Sequence, residues 1–166
     1  LKKRNGSVVV TSLLCFSILS CIFIGCLEII NSNLEIVNTY EIALKLRHDV
    51  KSGINLGYSK ILEEVNKAII IAKEYENQNE KYKEYFLGSN KIEFIKATED
   101  INIDEISLDI VNNKVYIEDN YIRLDIVSKK TEGELEKGAR CSFKINLDFN
   151  QENIKNIVEK YDYKEI

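Results

Sequence analysis

Val8–Leu27 reads VVVTSLLCFSILSCIFIGCL, and no residue from Asn5 to Leu27 carries a formal charge. At about 1.5 Å of rise per residue this stretch makes a helix of roughly 30 Å, the thickness of the hydrocarbon core of a bilayer. It is read as a transmembrane helix over residues 7–27. Lys2, Lys3 and Arg4 precede it and only Glu28 follows closely, so the positive-inside bias puts the N-terminus in the cytoplasm and everything after Leu27 outside. Cys15, Cys21 and Cys26 lie in the stretch, where they act as small apolar residues, and their spacing matches no thiolate metal site. Cys141 is then the one thiol outside the membrane, which excludes an intrachain disulfide in the outer domain. The apolar core is longer than that of a removable signal peptide, and no small-x-small site follows it. Ile18-Leu19-Ser20-Cys21 and Phe23-Ile24-Gly25-Cys26 are each imperfect lipoboxes, so lipidation at Cys21 or Cys26 stands as the alternative.

The apolar spacing continues past the span. Leu27, Ile30, Leu34, Val37, Tyr40 and Leu44 recur at three and four residues, and Val50, Ile54, Tyr58, Ile61, Val65, Ile69, Ala72 and Tyr75 carry the stripe on. This predicts an amphipathic helical stalk over 28–87, continuous with the span and ended by Gly88-Ser89-Asn90. The charged segment Lys73–Glu84 is its solvated last part, pinned to the domain by Tyr82, Tyr85 and Phe86. Gly53 and Gly57 sit inside the helix and each costs about 1 kcal/mol relative to Ala. They mark a close-packing face or a soft point, or else are incidental weak spots.

From Lys91 the period changes to two. Ile106, Leu108 and Ile110 alternate with Ser107 and Asp109, Asn112-Asn113 is read as a hairpin turn, and Val115 and Ile117 resume. Asp119-Asn120 makes the next turn, leading to Ile122, Leu124 and Ile126. A polar loop with Gly133 and Gly138 then precedes a strand placing Cys141, Phe143, Ile145, Leu147 and Phe149 on one face. Ile92–Ala97 is read as an edge strand and Gln151–Lys160 as a short C-terminal helix. The fold class is α+β: a long N-terminal helix, half transmembrane and half amphipathic, packed on a small antiparallel β-meander over 88–166.

Composition narrows the chemistry. The 166 residues hold 23 Lys plus Arg against 27 Asp plus Glu, for a formal charge of −4 and a pI near 5.2. Such a balance gives no basic face for phosphates, and no direct nucleic-acid binding is expected. His48 is the only imidazole, which rules out a multi-histidine metal site, and it reads as a solvated helix position. Asp100, Asn102 and Asp104 imitate half a calcium loop, but Glu105 occupies the place that requires Gly, so a solvated connection is expected there. The acidic pairs Glu63-Glu64 and Glu99-Asp100 are read as surface. No Gly-rich phosphate loop, Ser-His-Asp order or CxxC appears, so neither an enzyme nor a cofactor is expected. Abundant Ile, Lys and Asn with scarce Arg fits an AT-rich bacterial genome. Leu1 in place of Met points to an alternative start codon or an upstream truncation.

A basic leader, a Gly, an uncharged apolar helix running into an amphipathic stalk, and a small β domain together resemble the type IV prepilin family. Lys2-Lys3-Arg4-Asn5-Gly6-Ser7 is similar to a prepilin-peptidase site, with residues 1–6 as the leader and cleavage between Gly6 and Ser7. Gly6-Ser7-Val8-Val9-Val10-Thr11-Ser12-Leu13 is similar to the opening of PilX-like minor pilins. Ala43-Leu44 and the run Lys51-Ser52-Gly53-Ile54-Asn55-Leu56-Gly57-Tyr58 resemble a downstream segment of that family, with Lys51 replacing its usual acidic residue. The likeness covers Leu1 to Val65 well and the β domain in outline, where Gly138-Ala139-Arg140 is an echo.

The resemblance implies a subunit that helps initiate or cap a type IV filament. Its partners would be other pilin or pseudopilin subunits, prepilin peptidase, an inner-membrane assembly platform and membrane lipid. Most pilins carry Glu at the fifth mature position, where this chain has Thr11; that departure resembles minor pilins and GspK-like pseudopilins. The family's helix-kinking Pro is missing as well, and Gly25 is expected to loosen the span instead. The other class of function is a lipid- or membrane-anchored extracytoplasmic binding domain unrelated to pili.

Overall fold

The computed structural model describes residues 2–100, 103, 105–149 and 154–166, with side chains from Ser7 onward. The chain divides into two compact units, Leu1–Ile42 and Ala43–Ile166. Helix α1, Lys2–Lys73, contributes to both.

In the second unit, the stretch of α1 from Ala43 to Lys73 packs on a four-stranded antiparallel sheet with strand order β1-β2-β3-β4. The strands are β1 (Ser107–Glu118), β2 (Tyr121–Glu132), β3 (Leu135–Asn146) and β4 (Val158–Glu165). Leu46, Val50, Ile54, Ile61, Val65, Ala68 and Ala72 are buried at the three-, four- and seven-residue intervals of one helical face. Ile122, Leu124 and Ile126 of β2 and Ala139, Cys141, Phe143 and Ile145 of β3 are buried in turn, each strand alternating with half-exposed or exposed neighbours except at Gly138 and Ser142. Each fully buried Val, Leu or Ile contributes about 1.5–3 kcal/mol, which makes this helix–sheet layer the principal source of stability.

Asp119-Asn120 forms the predicted tight turn, with φ of 52° and 64° as a two-residue primed hairpin requires. Asn112 and Asn113 are also left-handed, at φ 55° and 51°, but the chain does not reverse there. They sit inside β1, where the pairing with β2 shifts register between Ile110 and Val115. The expected hairpin is therefore a bulge. Gly138 belongs to β3, opposite Lys129, and not to a loop; the β2–β3 turn lies at Gly133, with φ 62°. Leu147 and Phe149 follow the strand yet remain buried.

Three further expectations are corrected. The stalk is not one helix to residue 87: α1 ends at Lys73, and a separate helix α2 spans Gln78–Leu87. Tyr82, Tyr85 and Phe86 of α2 are buried, pinning it as expected. The segment around Ile92–Ala97 is helix α3, Lys91–Glu99, and not an edge strand. Phe94, Ile95 and Thr98 face the core from it, and the Phe94 ring meets Phe86 edge-on with centroids 5.0 Å apart. The segment predicted as a C-terminal helix holds only a single 3₁₀ turn, Ile154–Asn156, before β4 begins. Ile157 and Val158 are both buried, and the Asn146 N–H donates to Ile157 O at 2.8 Å.

Candidate functional site

In the first unit, no residue of the apolar segment is buried, and bulky side chains lie on all its sides: Leu13, Phe16, Leu19 and Phe23 are all more than half exposed. Three of its hydroxyls bond back to the helix itself. Thr11 Oγ1 donates to Ser7 O at 2.8 Å, Ser12 Oγ to Val9 O at 2.9 Å and Ser17 Oγ to Leu13 O at 2.9 Å. Internal satisfaction of this kind is what a hydrocarbon surrounding demands, because no water is available there to accept the proton. The helix is long and apolar enough to cross a membrane, a property that an N-terminal signal sequence shares.

Gly6 and Ser7 lie within α1. Gly25 has open space where a side chain would project. The other two glycines differ. A Cβ on Gly53 would overlap Ser128 Oγ and lie 2.8 Å from Ile106 Cγ2, whereas one on Gly57 would lie 3.3 Å from Ile126 Cδ1. These two positions are where the α1 backbone comes down onto β1 and β2.

An apolar N-terminal helix leading into a helix packed on a four-stranded antiparallel meander is a pilin-like architecture. Comparison with protein-family models, curated proteins and solved structures found no match.

Beyond the expected residues, the second unit holds polar groups that spacing did not reveal. Glu64, expected at the surface, is buried; it accepts from Tyr85 Oη at 2.6 Å and pairs with Lys67 at 2.7 Å, tying α2 to α1. Burial, followed by the bond to Glu64, pushes the Tyr85 phenol well above its ordinary value. Asp49 of α1 meets Lys130 of β2 at 2.7 Å, and that lysine is only 10% exposed. Two more pairs lie within a turn of it: Lys45–Glu132 at 3.2 Å and Arg47–Glu165 at 2.6 Å.

Cys141 is buried, with its thiol directed at Tyr161 O at 3.5 Å, and burial raises its pKa. His48 is exposed on α1. Asn102 and Asp104 of the calcium-like run lie outside the described residues, while Glu105 is left-handed at φ 62°. Glu99 is used as a cap for the broken end of the β1 ladder, its Oε1 accepting the Ile110 N–H at 2.9 Å.

Proposed function

We propose that the chain is a minor pilin or pseudopilin subunit, without enzymatic activity, that takes part in initiating or assembling a type IV pilus-like filament. The observation that supports this reading is the N-terminal helix: apolar on every side, with the Thr11, Ser12 and Ser17 hydroxyls bonded within it, and continuous with a stretch seated on an antiparallel meander. In a bilayer such a segment is covered by lipid. Once drawn into a filament it is covered by neighbouring helices, with Ser12, Ser17, Ser20 and Gly25 allowing close approach. The orientation follows the basic residues Lys2–Arg4, with the chain beyond Leu27 outside the cytoplasm.

Thr11 supports a low-copy role. Its hydroxyl is spent on Ser7 O, and it offers no carboxylate to the terminal amine of a neighbour. Trace incorporation in sheared filaments and loss of filament initiation on deletion are expected, and Thr11→Glu should spread the protein along the shaft. N-terminal sequencing of the membrane-extracted protein should give Ser7, and Gly6→Val should block that cleavage. A start at Cys21 or Cys26 bearing diacylglycerol would replace this reading with a lipid-anchored binding domain. Filament number unchanged by deletion would equally defeat it.

A further inference from the structure

Strand β4 parts from β3 at one point. Arg140 pairs with Lys164 and Ser142 with Tyr161, so Asp162 and Tyr163 together stand opposite Cys141. Asp162 takes φ 50°, the left-handed residue of a bulge. Between this bulge and α1 lies a half-open cleft of about 350 Å³. Ile54 and Cys141, both buried, form its floor. Burial holds the thiol protonated at neutral pH, so the floor carries no charge.

The rim is cationic. Lys51 lines the cleft from α1 and makes no hydrogen bond or ion pair with any described residue. One turn further on, Asn55 Oδ1 accepts from Lys160 Nζ at 3.1 Å, and the same ammonium stands 4.8 Å from the centroid of the Tyr58 ring. Among the described residues Lys160 meets no carboxylate. Asp162, the acid that lines the cleft, is engaged by Lys164 at 2.8 Å. Two ammonium groups without carboxylate partners thus border an apolar floor.

We propose that this cleft binds a small anionic amphiphile: a carboxylate whose aromatic or aliphatic body lies on Ile54 and Cys141 and whose head is held between Lys51 and Lys160. The volume suits it. An engineered cavity of about 150 Å³ holds benzene, so a cleft more than twice that size admits two fused rings. The charge suits it too, because each ammonium adds a charge-assisted bond that a neutral ligand cannot make. Nothing in this inference depends on membership of a filament.

The test uses the full chain in lipid nanodiscs with 2-naphthoate as probe, its neutral counterpart 2-naphthylmethanol, and empty nanodiscs as the blank. The chain has no Trp, so transfer from tyrosine emission to the naphthyl ring reports binding directly. Naphthoate should bind above the blank. The alcohol should bind about tenfold more weakly. Lys51→Gln and Lys160→Gln should each weaken naphthoate by about tenfold and leave the alcohol unchanged. Equal binding of acid and alcohol, unaltered affinity in both variants, or no signal above the blank would each overturn the proposal.

Discussion

Adding one methyl group at Gly53 sets two effects of opposite sign against each other. Alanine in place of a mid-helix glycine gains about 0.5–1 kcal/mol by restricting the unfolded chain. At Gly53 the new Cβ overlaps Ser128 Oγ and falls 2.8 Å from Ile106 Cγ2 and 3.1 Å from Ser128 Cβ. Ser128 and Ile106 are both buried, so relief requires α1 to lift from the sheet, and overpacking of that kind costs about 1–3 kcal/mol. Gly53→Ala should therefore destabilise by about 1–2 kcal/mol on balance. Gly57→Ala meets nothing nearer than Ile126 Cδ1 at 3.3 Å, the movable end of a side chain, and should be neutral or stabilising by up to about 1 kcal/mol. Urea denaturation of the detergent-solubilised protein, followed by tyrosine fluorescence, measures both as midpoint shifts at constant slope. A control sharpens the result. Ser128 Oγ is buried with no hydrogen-bond partner among the described residues, so Ser128→Ala alone should stabilise by about 1 kcal/mol. Combined with Gly53→Ala, it should recover part of the loss non-additively, since the two sites touch. If Gly53→Ala stabilises as much as Gly57→Ala, the close seating of α1 on β1 and β2 is wrong.

Three other outcomes follow from the buried polar groups. Tyr85→Phe removes one of the two partners of buried Glu64 and should cost about 1–3 kcal/mol in the same urea assay; no change would show that the bond is not formed. Burial raises the Tyr82 phenol above its ordinary value, so its contribution is complete below about pH 10 and is lost as pH rises further, by up to about 1.4 kcal/mol per pH unit. Tyr82→Phe should flatten that alkaline limb, and an unaltered limb would refute the assignment. Cys141 should resist a membrane-impermeant maleimide in the folded protein on intact cells and react after mild urea; reaction without urea contradicts its burial, and reaction that also requires a broken membrane contradicts the proposed orientation.

The parts of the fold legible in the sequence are those where a single physical requirement acts on many residues at once. Val8–Leu27 announces itself because no charge interrupts its twenty residues, and β2 because apolar and charged residues alternate from Ile122 to Ile126. Sequence and structure part where one local signal serves two structures. Paired left-handed asparagines suit a hairpin turn or a bulge, and only the partner strand decides which forms at Asn112-Asn113. Ile154, Ile157, Val158 and Tyr161 have helical spacing, yet the free edge of β3 takes the segment after Ile157 as a strand. The short run Ile92–Ala97 suits strand or helix equally, and packing of Phe94 against Phe86 selects the helix. The role of Gly53 was visible only as a question, because its answer lies in Ile106 and Ser128, far along the chain. The cleft beside Cys141 was invisible for the same reason: it exists only where a bulge and a helix meet.

The three ion pairs of Lys45, Arg47 and Asp49 crowd into the first turns of α1 within the second unit, reaching β2 twice and β4 once. Mechanically this is a mooring. Tension along the helix axis loads these pairs and the buried stripe behind them in shear, so that they give way together. A pull directed away from the sheet would instead break contacts one after another. Lys45–Glu132 and Arg47–Glu165 are exposed and weaken with salt, whereas Asp49–Lys130 is shielded and holds. The rupture force of the helix against the sheet is thus set by one shielded pair and a column of aliphatic side chains, and it should change little with ionic strength.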